Sequence, residues 1–187
     1  MSLTRGEGLG IGLLAGAALI ASLAAAPGVA GVMGGGLALI MLGVAVFDRR
    51  SLIIPDELNV AAFALGLCDA AILGPSGVVD GVLAALARGV CVAAVFLAVR
   101  VGYQRLRGRE GLGLGDVKLA GVAGAWLDWP LIPIAVEVAA LAALGAYLLH
   151  QRSGARSLRA AVKLPFGLFF APAIWLCWLV DATLLRV

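Results

Sequence analysis

Long apolar segments are the feature that most constrains how this chain can fold. Seven of them, rich in Ala, Leu, Val and Gly, follow one another with only short breaks. A helix needs about 20 apolar residues to cross a bilayer, because each residue adds about 1.5 Å to a span of about 30 Å. The segments cover approximately residues 8–26, 30–47, 57–74, 78–100, 116–128, 130–150 and 164–185. The sequence therefore predicts an all-α, polytopic membrane helix bundle with about six to seven transmembrane helices.

The composition agrees with a membrane protein. Of the 187 residues, 63% are hydrophobic and 13% are charged, whereas an average soluble domain is about a quarter charged. The net charge of +3 is explained by membrane topology and anionic lipid, so we expect lipid contacts and no nucleic-acid partner. The three cysteines are isolated and there is one histidine, so neither a metal site nor a cofactor is expected.

The basic residues indicate how the helices are oriented. Lys and Arg follow the second, fourth and sixth segments, whereas the opposite loops carry none. The basic residues are Arg49, Arg50, Arg100, Arg105, Arg107, Arg109, Arg152, Arg156, Arg159 and Lys163. Because cytoplasmic loops carry the excess of positive charge, the N-terminus is predicted to be cytoplasmic. The first apolar run, residues 9–26, has 18 residues, which is longer than the apolar region of a usual signal peptide, so we expect it to be retained as a helix.

Two acidic residues lie at predicted cytoplasmic helix ends. Asp48 ends the second segment, and Asp116 begins the fifth after the glycine-rich residues 111–115. Acids at such positions are costly and tend to be functional. Only 12 residues, or about 18 Å of helix, separate Asp116 from the outer turn at Asp128. Asp116 is therefore predicted to lie below the inner surface, with the glycine-rich residues dipping into the membrane beside water or protein.

A pair of carboxylates suits peptide hydrolysis. Two like charges a few ångströms apart do not both ionise easily, so the pair shares a proton. One member can take a proton from an attacking water while the other donates to the scissile carbonyl. For each residue alone a simpler role is open, since Asp116 could cap a helix and Asp48 could be an ordinary charge at a helix end.

Three motifs surround these aspartates. An Ile-Pro-Asp turn at 54–56 follows Asp48, the sequence GLGDVKL occupies 113–119, and Pro-Phe-Gly occupies 165–167. In this order they resemble the motifs of the type IV prepilin peptidases and the related preflagellin peptidases, which are GxGD membrane aspartyl proteases. The similarity covers roughly residues 35 to 180.

The resemblance implies a membrane aspartyl endopeptidase that works without a cofactor. Its substrates would be prepilin-like precursors (type IV pilins, Flp pilins, pseudopilins or archaellins) with a short basic leader before an apolar helix. It would cut them, usually after a glycine, at the cytoplasmic face of a prokaryotic plasma (inner) membrane. The resemblance assigns catalysis to Asp48 and Asp116. It assigns supporting roles to the motif residues Pro55, Asp56, Gly113, Gly115 and Lys118. The oligomeric state stays open.

Large bacterial members of this family also carry an N-terminal domain with paired CxxC motifs and methylate the new N-terminus. The sequence has no CxxC. We therefore expect residues 1–187 to form a single membrane-embedded peptidase domain, with no methyltransferase or zinc domain and no methyltransferase activity.

Two other kinds of protein compete with this interpretation. Another GxGD protease, of the presenilin or signal-peptide-peptidase type, would share residues 113–116 but should also carry a Pro-Ala-Leu motif, which is missing. A small transporter or membrane scaffold would not be an enzyme, and a transporter should show an internal repeat, which we do not find.

Further residues are predicted to shape the bundle or the site. Arg88 is expected to form a buried ion pair with Glu137, with Asp69 as the alternative partner, because an unpaired charge in the membrane is costly. Lys118 is expected near Asp116, or else at the membrane surface. Small residues let membrane helices approach closely, and the candidates are Gly34, Gly35, Gly36, Gly121, Gly124 and Gly145.

Overall fold

The chain folds as a bundle of α-helices. The computed structural model describes residues 5–74, 77–109, 111–152 and 165–185. The helices in these ranges are α1 (Arg5–Ala25), α2 (Val29–Ser51), α3 (Asp56–Leu73), α4 (Val78–Arg107), α5 (Leu114–Trp126), α6 (Leu131–Arg152) and α7 (Gly167–Val180), and a π-helical turn (Asp181–Leu185) follows α7. The predicted all-α fold and its seven helices are confirmed. Three of the basic residues that were predicted to be cytoplasmic lie outside the described residues: Arg156, Arg159 and Lys163.

Not every helix has the properties of a membrane span. Within the described ranges, five are long and apolar enough to cross a membrane: α1, α2, α4, α6 and α7 with the turn that follows it. α3 carries the acids Asp56, Glu57 and Asp69, and α5 has only 13 residues, or about 20 Å. α5 is buried along most of its length between the other helices. The protein is thus a multi-pass membrane helix bundle with α5 inside it.

Glycines allow α5 to pack directly on α4. A Cβ atom on Gly124 would lie 2.7 Å from the Arg88 carbonyl oxygen and 2.8 Å from the Gly89 Cα atom. A Cβ atom on Gly121 would lie 3.5 Å from the Gly89 carbonyl oxygen. The two backbones therefore touch where a side chain would separate them. The predicted contact role is confirmed for Gly121 and Gly124.

The glycines at 34–36 make α2 a contact point for three other helices. Gly34 packs against the ring of Trp178 in α7, and Cβ atoms on Gly35 and Gly36 would each lie 2.9 Å from a leucine of α1 or α3. Gly145 in α6 was also predicted to be a contact point, but nothing lies within 4 Å of its Cβ position in the part of the chain that the structure describes. That prediction was wrong, because this face of α6 packs on none of the helices that the structure describes.

The start of α5 is recessed relative to the end of α4. α4 continues about two turns past the predicted end at residue 100, and it stops only at Gly108, which has a φ of 65°. The glycine-rich segment returns along this extension, because Gly111 packs on the Tyr103 ring and Arg100 donates to the Leu112 carbonyl oxygen. α5 therefore begins level with Arg100, about 10 Å short of the end of α4. This is the arrangement expected for a segment that dips into the bundle.

Arg88 is paired differently from the prediction. Its Nη1 atom lies 3.3 Å from Oδ1 of Asp128, and its Nε atom donates to the Gly124 carbonyl oxygen at 3.2 Å. The expected pairing with Glu137 was wrong, and Asp128 is the partner rather than the alternative Asp69. The reason is topological: α4 packs against α5, so the turn that follows α5 is the part of the chain nearest Arg88.

Truncating Arg88 should cost more stability than neutralising its partner. The Asp128 side chain is 65% exposed, so we expect Asp128→Asn to lower the free energy of unfolding by less than about 1 kcal/mol. Arg88→Ala also removes the donor to a carbonyl in the last turn of α5, and we expect a loss of about 1–3 kcal/mol. Thermal unfolding in detergent micelles measures both variants. Equal losses would show that the ion pair, rather than the bond to Gly124, carries the stability.

Candidate active site

Asp48 is held by the first turn of α7. It lies in the last turn of α2 with 5% of its surface exposed. Its Oδ2 atom accepts a hydrogen bond of 2.8 Å from the backbone N–H of Leu168, and Gly167 lies directly beside the same carboxylate. N–H groups at the start of a helix lack partners within the helix and attract negative charge. The α7 N-terminus therefore fixes the orientation of a buried carboxylate that lies 120 residues away in the sequence.

Gly167 provides the space that this arrangement needs. A Cβ atom at this position would lie 3.0 Å from Oδ2 of Asp48 and 2.8 Å from Cδ1 of Ile54. The Pro-Phe-Gly motif was noted in the sequence, but the contact of its glycine with Asp48 was not predicted. The sequence offered the motif as a signal without showing which residue it faces.

Asp116 lies at the start of α5. The helix begins at Leu114, two residues earlier than predicted, so Asp116 is its third residue. Its Oδ2 atom accepts a hydrogen bond of 3.2 Å from the backbone N–H of Gly113. The simpler role that was left open, capping the helix, falls to Gly113, and Asp116 instead bonds back to that residue from within the first turn. A carboxylate can accept several hydrogen bonds at its two oxygens, so this contact is compatible with a second role in chemistry.

The structure brings the two aspartates together. Asp48 contacts Gly167, Gly167 contacts Ile54, and Ile54 packs on Gly115, the residue directly before Asp116, although 68 residues separate the two aspartates in the sequence. Ile54, which is 7% exposed, connects their surroundings. Its Cβ atom lies 3.1 Å from the Cβ position of Gly115, and its Cδ1 atom contacts Gly167 as described above. All three sequence motifs thus meet at one end of the bundle.

The supporting residues of the first two motifs also meet. Pro55, with a φ of −58°, directly precedes α3 and separates it from the end of α2. Lys118 was expected near Asp116, but its Nζ atom bonds to Oδ1 of Asp56 at 2.6 Å. Both side chains are about half exposed or more, so the pair is weak. The ion pair joins the first turn of α3 to α5.

The two motif glycines differ in what they do. Gly115 must be small because Ile54 packs on it. Gly113 has an extended backbone with a φ of −73°, and a Cβ atom there would lie 3.1 Å from Oδ2 of Asp116. Gly113 therefore leaves room beside Asp116, and Gly115 leaves room for Ile54. Among the described residues, no three or more His, Cys, Asp or Glu side chains are grouped as metal ligands would be.

The sequence was compared with known proteins. A family model described as the type IV leader peptidase family matches residues 36–148. The prepilin leader peptidase/N-methyltransferase of Pectobacterium carotovorum subsp. carotovorum is 34% identical over 159 residues, which are 82% of this chain and 53% of that protein. Leader peptidase HopD of Escherichia coli is 33% identical over 129 residues, which are 68% of this chain and 79% of that protein. No solved structure matches the chain significantly.

A further relative shows how much of these proteins is shared. The prepilin leader peptidase/N-methyltransferase of Aeromonas hydrophila is 27% identical over 150 residues, which are 80% of this chain and 50% of that protein. The chain thus spans about half the length of the peptidase/N-methyltransferases that it matches. The region that the family model matches includes Asp48, Asp116 and the whole of α3, α4 and α5. By this match and by the similarity to HopD, the chain belongs to the type IV leader peptidase family.

Proposed function

We propose that this protein is a membrane-embedded aspartic endopeptidase. It removes the short basic leader from prepilin-like precursors at the cytoplasmic face of a prokaryotic plasma membrane. The observation that carries this proposal is that the surroundings of Asp48 on α2 and Asp116 on α5 meet around Ile54 at one end of the bundle. Membership of the family supports it, because the relatives are named leader peptidases.

The chemistry follows from two carboxylates that share one proton. The ionised member takes a proton from a water molecule as the water oxygen bonds to the scissile carbonyl carbon. The protonated member donates to the carbonyl oxygen, and a proton then passes to the leaving amine as the C–N bond breaks. Both products leave without an oxidant, a metal or a covalent enzyme intermediate. The titration belongs to the pair rather than to either residue.

The distribution of charge supports a cytoplasmic site. Arg49 and Arg50 are the residues directly after Asp48, and Arg105 and Arg107 end α4 beside the recessed start of α5. Basic residues accumulate on the cytoplasmic side of membrane proteins. The exposed acids Asp56 and Glu57 lie at the same end, where they would attract a basic leader.

Co-expression with candidate precursors tests the proposal. The protein is produced together with precursors that carry a basic leader, a glycine and an apolar helix, and leader loss is followed on gels and by mass spectrometry. We expect a cut after the glycine, and a precursor with that glycine replaced serves as the control. If every precursor stays intact, a transporter or scaffold is the better description. A cut inside the apolar helix would favour the other GxGD proteases.

Adding a methyl group at Gly167 should slow the reaction. In Gly167→Ala the new Cβ atom must displace Ile54 or the Asp48 carboxylate. A misplacement of about 1 Å at a catalytic group can lower a rate by about 100-fold, so we expect a loss of about 10- to 100-fold. Gly16→Ala in α1 is the matched control, because nothing described lies within 4 Å of its Cβ position. Equal cleavage rates for the two variants would contradict this prediction.

A further inference from the structure

The side chain of Asn59 is buried in the first turns of α3 and is unexplained by the mechanism above. It is 4% exposed. Neither its Nδ2 nor its Oδ1 atom has a hydrogen-bond partner among the described residues. Buried amides in natural proteins almost always have partners, and exceptions tend to bind water or take part in function.

Asn59 lies on the face of α3 that packs on α5. The buried residues of α3 are Asn59, Ala62, Gly66 and Asp69, whose spacing places them on one side of a helix. The Ala62 carbonyl oxygen accepts a hydrogen bond of 2.8 Å from Nε1 of Trp126. A Cβ atom on Gly66 would lie 3.2 Å from Cβ of Ala125. The buried face of α3 therefore packs on α5.

The register of the two helices gives the depth of Asn59. Asp56 at the start of α3 bonds to Lys118, and Gly66 further along α3 contacts Ala125, so the helices run in the same direction. Asn59 lies seven residues, or two helical turns, before Gly66, and Lys118 lies seven residues before Ala125. Asn59 is therefore level with Lys118. Asp116 is two residues from that level, or about 3 Å along the helix axis. The buried amide thus lies close to the level of Asp116.

We infer that Asn59 is a positioning residue of the aspartate pair, and that its carboxamide holds the water that the pair activates. This inference rests on the proposed function. In a helix the Cα–Cβ bonds tilt toward the N-terminus, which for α3 is the end at which Asp48 and Asp116 meet. The amide can both donate to and accept from a water molecule. It can therefore fix the orientation of that water without changing its own charge during the reaction.

Asn59→Leu tests this role, because leucine has the same branched arrangement of four side-chain heavy atoms and no polar atom. We expect the single-turnover rate of leader cleavage to fall at least 10-fold, with little change in KM. The thermal midpoint should stay the same or rise, because an unpaired buried polar group has been removed. The dependence of the rate on pH should also change shape, since water bound to the pair influences its titration. A purely structural asparagine would leave both the rate and the pH profile unchanged.

Trp178→Phe is the matched control. Nε1 of Trp178 is also buried without a hydrogen-bond partner in the described part of the chain, but its ring packs on Gly34. That contact lies 14 residues, or about 21 Å along α2, from Asp48. We expect this variant to cleave at the wild-type rate with an unchanged pH profile. The comparison separates the loss of a buried polar atom in general from the loss of one near the level of Asp116.

A second substitution covers the case in which the leucine variant does not fold. Asn59→Ser keeps a hydroxyl group that can bind water, and we expect its rate to lie between those of the leucine variant and the wild type. Wild-type rates in every folded Asn59 variant would overturn the inference while leaving the proposed function intact. Rate losses that only follow lost stability, with an unchanged pH profile, would also overturn it. If the wild type cuts no precursor, the proposed function fails and this inference fails with it.

Discussion

Asp48→Asn and Asp116→Asn are each expected to lower the rate of leader removal by at least about 100-fold. Each substitution keeps the shape of the side chain but removes a group that can gain and lose a proton. Asn at position 48 still offers an oxygen to the backbone N–H of Leu168. At position 116 it still offers one to the backbone N–H of Gly113. Both variants should therefore insert and fold.

The cleavage assay described above measures both variants, with thermal unfolding as the test of folding. Asp80→Asn is the matched control, because Asp80 is an exposed acid in the first turn of α4, away from the site. It should cleave at the wild-type rate. The wild type should also show a bell-shaped dependence of rate on pH, since one aspartate must be ionised and the other protonated. Full processing by either asparagine variant of the pair would remove that residue from catalysis.

Gly124→Ala is expected to lower the free energy of unfolding by about 1–3 kcal/mol or more. The added methyl group would meet the carbonyl oxygen of Arg88 and the Cα atom of Gly89. These are backbone atoms of α4, which cannot rotate away as the end of a side chain could. The two helices must move apart, and the recessed start of α5 must move with them. We therefore expect the cleavage rate to fall as well.

Gly145→Ala is the matched control for this substitution. It also replaces a helical glycine, but the new methyl group meets no described atom within 4 Å. Alanine favours a helix over glycine by about 0.5–1 kcal/mol, so this variant should be as stable as the wild type or more stable. Thermal unfolding in micelles compares the two variants. A similar loss in both would show that α4 and α5 do not depend on this backbone contact.

Much of the fold follows from local features of the sequence. The seven helices were predicted because apolar length and breaks such as Pro55 act over a few residues. Asp48 and Asp116 were predicted as a pair because charge in apolar surroundings is rare. The end of α4 was predicted about two turns too early, because its last turns are polar enough to resemble a loop. They remain helical until Gly108.

What the sequence could not determine is which side chains meet across the bundle. Arg88 bonds to Asp128 rather than Glu137, Lys118 bonds to Asp56 rather than Asp116, and the first turn of α7 holds Asp48. Each of these contacts depends on which helices are neighbours and on how they are rotated. Small residues distributed over many positions decide that packing together, and no single position reveals it. Apolar length and rare charges are properties of one segment, whereas the partner of a buried polar group is a property of the assembled bundle.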